Sequence, residues 1–241
     1  MNLILPEDVS RVILLDVDFF FYTDIKQLFD HFDNFRNTTL FGLALVQEPV
    51  YRRDFEKYRE EHPGTKIGDP PPNGRTGYSR GLTMIHLDNM RRSERYYSIL
   101  LYNEVKKYAE KYQFQGTRAQ QDFFVLLDAE HHEDLFYVVP CQWNRQLYRG
   151  LSRDVDFDKF HNCPKPIHAY HGNGVARMPT MNNFHQFLFD WDGRKRAQLR
   201  EKPVWVIFPG EKLGGGVRPA SPNPYPISIE NLRFFLPYLQ T

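Results

Sequence analysis

The sequence has little that would mark a membrane span, a nucleic-acid binder or a disulfide framework. No apolar run reaches the roughly 18 residues that a spanning helix needs. Lys and Arg number 31 against 30 Asp and Glu, a net charge of +1, so there is no basic footprint for nucleic acid. Two cysteines occur, Cys141 and Cys163. They can form one disulfide in an oxidising compartment or sit as free buried thiols. Internal repeats are absent, and Met1-Asn2-Leu3-Ile4-Leu5-Pro6 is too short for a secretory signal. What is present is apolar: 41% of 241 residues are hydrophobic and 15% aromatic. That is enough to core one large domain, or one and a half. The Tyr and Phe excess suits a secreted or lumenal protein that binds sugars or peptides.

The chain is organised around Arg11-Val12-Ile13-Leu14-Leu15-Asp16-Val17-Asp18. The apolar run predicts a buried strand over 12–16 with a charged tip. Residues i and i+2 of an extended chain point the same way, so Asp16 and Asp18 can aim two carboxylates at one point. Ligands of open α/β sheets bind beyond the carboxyl ends of strands, and two carboxylates there suit a hard divalent cation. An Asp-x-Asp is also common in solvated turns. Doubly wound folds place several βα units before such a site, so part of a nucleotide-binding half is expected upstream of this chain.

Further along, Thr23 or Asp24 caps a short amphipathic helix with apolar residues at 25, 28, 29 and 32. A buried strand is predicted over 40–46 and a charged helix over 51–61. The loop Gly68-Asp69-Pro70-Pro71-Pro72-Asn73-Gly74 follows. A strand is predicted over 82–87 and one long helix over 93–111, with Tyr97, Leu100, Leu101, Val105 and Tyr108 on one face. Another helix, over 119–129, puts Phe123, Phe124, Leu126 and Leu127 inside. Short strands are predicted over 136–139 and 167–170. From 190 to 241 the composition turns basic and then Pro- and Gly-rich, an appendage to a domain spanning 1–189. Within it, 204–208 reads as a strand and 229–239 as amphipathic.

Three further places can carry chemistry. His171, on a glycine-flanked turn, is a candidate third ligand beside two carboxylates, although a strand-end His is more often a plain hydrogen-bonding residue. Gln120-Gln121-Asp122 opens a helix, where polar side chains cap the helix or face an anion. Trp143 can stack on a sugar or pack in the core.

Taken in order, the motifs Leu15-Asp16-Val17-Asp18, Gln47-Glu48-Pro49-Val50-Tyr51-Arg52, the proline-rich loop, Gly77-Tyr78-Ser79-Arg80-Gly81, Gln120-Gln121-Asp122-Phe123-Phe124, Cys141-Gln142-Trp143-Asn144-Arg145-Gln146-Leu147 and Tyr170-His171-Gly172-Asn173 become specific. Together they resemble the family 8 retaining glycosyltransferases, most closely the xyloside α-1,3-xylosyltransferases, over about residues 5–175. The resemblance implies an α/β, GT-A (Rossmann-like) fold without its first βα units, its mixed sheet flanked by helices. It implies transfer of xylose from UDP-xylose to a xylose-glucose disaccharide O-linked to EGF-like repeats. Asp16, Asp18 and His171 match the family's Mn²⁺ ligands. Gln121 matches the glutamine beside the anomeric carbon. Val17, Ser79, Gly81, Gln120, Gly172 and Asn173 join Asp16, Asp18 and Gln121 on the donor side, and Trp143 and Asn144 fall on the acceptor side. Cys141 and Cys163 match a disulfide. The family's location implies the endoplasmic reticulum, reached through a type II anchor that this chain lacks; a homodimer is compatible. The chain departs from the family at Ser79-Arg80-Gly81, where Asn-Ser-Gly is usual, at Gln120, where Asp is usual, and at Val175, near which the family often has Lys and this chain has Arg177. Those departures keep a second reading in play, a glycosyltransferase-like binding or regulatory protein with little turnover. A metal-dependent phosphohydrolase built on Asp16 and Asp18 needs a second acidic or histidine cluster.

Overall fold

The computed structural model describes residues 4–174, except 119, together with 176. The predicted appendage over 190–241, including its strand and amphipathic segment, lies outside the described residues, as do Val175 and Arg177. The first strand, β1 (Arg11–Leu15), leads through Asp16–Asp18 into β2 (Phe19–Phe21). The helix α1 (Ile25–Phe29) follows, capped by Asp24, whose carboxylate accepts the Lys26 N–H at 2.9 Å. Its apolar stripe continues through a 3₁₀ turn, so that Leu28 and Phe32 are both buried. Next come β3 (Phe41–Leu45), α2 (Val50–Asp54) and α3 (Glu56–Glu61), then β4 (Tyr78–His86) and α4 (Leu87–Arg92). After these come α5 (Glu94–Ile99), α6 (Tyr102–Lys111) and α7 (Gln120–Leu135). The described part closes with β5 (Phe136–Val139), β6 (Arg145–Gln146), α8 (Phe157–His161) and β7 (Ala169–His171).

Two sheets result. The larger has the order β1-β4-β3-β5, with β3 and β5 parallel and the other pairs antiparallel. The smaller has the order β2-β7-β6. Alternation along the strands sends residues to both faces of the larger sheet. Leu43, Tyr78 and Ile85 pack with Leu87, Leu127 and Leu135 on one side. Leu82, Met84 and Ala44 pack with Leu28, Phe32 and Trp143 on the other. A mixed sheet covered on both faces is the fold class the sequence predicts.

Four local expectations need correction. The strand read as buried, β1, is an edge among the described residues: it pairs only with β4, and Leu14 is 36% exposed. The helix over 93–111 is broken at Leu100 and Leu101. Ser98 turns its hydroxyl back onto the Arg95 carbonyl at 2.8 Å, competing with the helical backbone, and Leu101 takes an extended conformation and faces solvent. The longest helix is instead α7, which overruns the predicted end and kinks at His131; Phe123 and Phe124 on it are only partly buried. The strand placed over 82–87 starts earlier, at Tyr78, and hands Leu87 to α4.

Cys141 and Cys163, 22 positions apart, are disulfide-bonded, tying the segment before β6 to the segment before β7. In the chain-entropy account a loop of that length contributes about 3 kcal/mol through the unfolded state.

Candidate active site

The pairing register builds the site. Phe19 of β2 stands opposite His171 of β7, and the Gly172 N–H donates to the Asp18 carbonyl at 2.9 Å. This sets the DVD turn beside the end of β7. From the other side the Asp16 N–H donates to the Gly81 carbonyl at 2.8 Å, continuing the β1–β4 ladder by one rung. Asp16, Asp18 and His171 therefore converge, each offering a ligand atom within 4.8 Å of the others.

His171 is buried and its orientation is fixed. Its ring stacks on Phe19 with centroids 4.3 Å apart, and its Nδ1 lies 2.8 Å from Asn144 Oδ1. An amide oxygen only accepts, so Nδ1 carries a proton and Nε2 points inward, where an unprotonated nitrogen can ligate a cation. That nitrogen lies 3.4 Å from Asp18 Oδ1 and 3.8 Å from Asp16 Oδ2. Without a cation, attraction to a protonated His171 holds the Asp18 carboxyl below its ordinary value, although Asp18 Oδ1 is buried without a well-directed hydrogen bond. Three electron-pair donors facing one another, one of them an orphaned buried oxygen, fit a divalent cation held by two carboxylates and an imidazole. Among the described residues no second such cluster occurs.

Gly81 is where β4 touches this cluster. A Cβ on it would lie 2.2 Å from His171 Cε1, so only glycine allows the close approach. Just beyond, the N-terminus of α7 presents Gln120 and Gln121. The Gln121 amide is held at both ends: Oε1 accepts the Arg80 N–H at 3.3 Å, and Nε2 donates to Tyr51 Oη at 3.0 Å. Tyr51 is fully buried and passes its own proton toward Asp122 Oδ1 at 3.2 Å. Burial pushes the Tyr51 hydroxyl well above its ordinary value, so it stays a donor, and burial pushes Asp122 up to about 6.

The structure gathers Asp16, Asp18, Gly81, Gln120, Gln121 and His171 in one place. Val17, in the turn between the two ligands, is 86% exposed, and Ser79 is buried in β4. Gly172 serves through its N–H to Asp18. Other assignments change. Trp143, expected to meet an acceptor, is buried in the core and donates its indole N–H to His31 Nε2 at 3.1 Å. Asn144, likewise expected there, is fully buried behind the site as the partner of His171. The Asn173 side-chain oxygen accepts the N–H groups of Leu147 and Tyr148, at 2.9 and 3.0 Å, tying the chain after β6 to the end of β7. The sequence carries no signal for the Asn144–His171 pair, which spans 27 positions, or for the Tyr51–Gln121 pair, which spans 70.

Comparison with known proteins follows the same lines. No family model matches the chain. Xyloside xylosyltransferase 1 of Mus musculus is 40% identical over 182 residues, which make up 74% of this chain and 46% of that protein. The xylosyl- and glucuronyltransferase LARGE1 of Gallus gallus is 30% identical over 201 residues, 78% of this chain and 24% of the relative. The crystal structure of mouse xyloside xylosyltransferase 1 in its apo form matches with a TM-score of 0.69 at 38% identity, covering 74% of this chain and 62% of that one. This chain thus spans about half the length of the curated xylosyltransferase it matches. Over 74% of its length the chain is a homologue of the xyloside xylosyltransferases, built on the GT-A glycosyltransferase fold.

Proposed function

We propose that this chain carries the catalytic centre of a retaining xylosyltransferase. It takes xylose from UDP-xylose and adds it to a xylose-glucose disaccharide O-linked to EGF-like repeats. The carrying observation is the convergence of Asp16, Asp18 and His171 one residue from the β4 segment that holds Gln121. Two carboxylate oxygens and one imidazole nitrogen suit Mn²⁺. When bound there, the cation supplies Lewis-acid stabilisation of the charge that develops on departing UDP. Asn144 keeps the His171 lone pair aimed at that place. Gln121, an amide, is too weak a nucleophile for a covalent intermediate. Its fixed side chain supports same-face substitution, in which a UDP phosphate oxygen takes the acceptor proton. The paired flanking carboxylates of glycoside hydrolases are then not required. The disulfide supports work in an oxidising compartment, which fits the lumen of the endoplasmic reticulum.

Tyr51 acts as a positioning residue through Gln121. Tyr51→Phe removes the acceptor that holds Gln121 Nε2, so turnover with UDP-xylose is expected to fall about tenfold with KM little changed; steady-state kinetics checks the split. The second reading, a binding protein of the same fold, is favoured by one observation. Arg80 and Gln120, both unusual for the family, bond to one another beside the site at 3.0 Å. Incubating the chain with Mn²⁺, UDP-xylose and the disaccharide-bearing EGF repeat separates the two. An α-linked xylose on the acceptor, identified by NMR, supports the transferase. UDP binding without transfer supports the binding protein.

A further inference from the structure

Arg80 sits in an irregularity of β4: Thr83 pairs with Leu43, yet Ser79 pairs with the very next residue of β3, Ala44. The three residues between, Arg80, Gly81 and Leu82, have no counterpart on β3. Such bulges re-aim side chains next to functional sites. Two contacts pin this one. The Thr83 hydroxyl donates to the Arg80 carbonyl at 2.9 Å, and the Gly81 carbonyl accepts from Asp16 at 2.8 Å. The Arg80 backbone N–H, freed from the ladder, goes to Gln121 Oε1.

The guanidinium emerges exposed on the Gln121 side of the Asp16, Asp18 and His171 cluster. Its Nη1 donates to Gln120 Oε1 at 3.0 Å, a neutral amide. Arg52, Arg53, Arg59, Arg91, Arg95 and Arg118 each lie against an aspartate. Arg80 has no carboxylate within ion-pair distance among the described residues. A planar fork of donors, steadied by an amide and left uncompensated, is suited to a ligand carboxylate or phosphate.

We propose that Arg80 binds an anionic oxygen of the nucleotide-sugar donor and thereby sets which donors the site accepts. This rests on the reading of the site as a donor site. Two sources share the chemistry: a diphosphate oxygen, or a carboxylate on the donor sugar. A diphosphate contact strengthens every UDP donor alike. A carboxylate contact favours a uronic-acid donor over a neutral pentose.

Isothermal titration of the full chain with Mn²⁺ and UDP, UDP-xylose or UDP-glucuronate tests this in the wild type, Arg80→Ser and Arg80→Lys. Loss of a charge-assisted contact is expected to weaken binding about tenfold in Arg80→Ser. Weakening of all three ligands supports the proposal with phosphate as the source. Weakening of UDP-glucuronate alone supports it with the carboxylate as the source. Arg80→Lys, which keeps the charge but not the fork, is expected to fall between. The melting temperature of both variants should match the wild type, because Arg80 is exposed. All three ligands binding Arg80→Ser within twofold of the wild type overturns the proposal while leaving the donor site intact. A wild type that binds no UDP with Mn²⁺ overturns the donor-site reading and this proposal with it.

Discussion

Asp18→Ala is expected to lower donor turnover about a thousandfold or more and to abolish the rise in melting temperature that Mn²⁺ gives the wild type. The two halves of that outcome have one cause. Asp18 Oδ1 is buried and faces the inward nitrogen of His171. A cation held there pairs that oxygen and stabilises the folded chain by mass action. Removing the carboxylate takes away a ligand and that gain with it. Stabilisation of the leaving group by a metal is worth several kcal/mol, so losing most of it gives at least the stated factor. Steady-state turnover with Mn²⁺ and melting curves with Mn²⁺ and with EDTA check the two halves. A rise with Mn²⁺ undiminished in Asp18→Ala would show that Asp18 is not a ligand.

Gly81→Ala is expected to cut turnover at least a hundredfold and, unlike Asp18→Ala, to destabilise the chain as well. The new Cβ would lie 2.2 Å from His171 Cε1, 2.7 Å from Nε2 and 3.0 Å from Nδ1. The ring has nowhere to go. Phe19 stacks against it, Asn144 holds Nδ1, and the Gly81 carbonyl is fixed to Asp16. Overpacking of this kind typically costs about 1–3 kcal/mol. Turning His171 removes the third ligand, so Mn²⁺ affinity should fall together with stability. Titration of Mn²⁺ in the presence of UDP, beside a denaturant unfolding curve, measures both. If Gly81→Ala kept full Mn²⁺-dependent activity, the tight packing of β4 on His171 would not govern the site.

The sequence showed local geometry well and long-range geometry poorly. An apolar run ending in Asp16-Val17-Asp18 was enough to place a strand that delivers Asp16, whereas Asp18 is brought round by the turn that follows β1 rather than by a period of two. The helix start at Thr23 or Asp24, which the structure gives to Asp24, and the strand over 136–139 were legible from local pattern. His171 was only one of nine histidines; the order of the motifs singled it out, and the β2–β7 register is what carries it to the aspartates. Nothing local distinguishes Asn144 as the residue that fixes the His171 tautomer from an asparagine that meets an acceptor. Trp143 was open to either reading, and its burial against Leu28 and Phe32 assigns it to the core. The break at Leu100 was hidden because the helical stripe continues across it, and Ser98, which diverts the backbone, is unremarkable in a helix.

The central claim is that Asp16, Asp18 and His171 together hold a divalent cation that binds the diphosphate of the donor. The most direct measurement is the affinity of the full chain for UDP by calorimetry, with Mn²⁺ and with EDTA, in the wild type and in Asp16→Ala. The account predicts UDP binding that requires Mn²⁺ and is lost in Asp16→Ala. Equal UDP affinity with Mn²⁺ and with EDTA, or Mn²⁺-dependent binding undiminished in the variant, would contradict it.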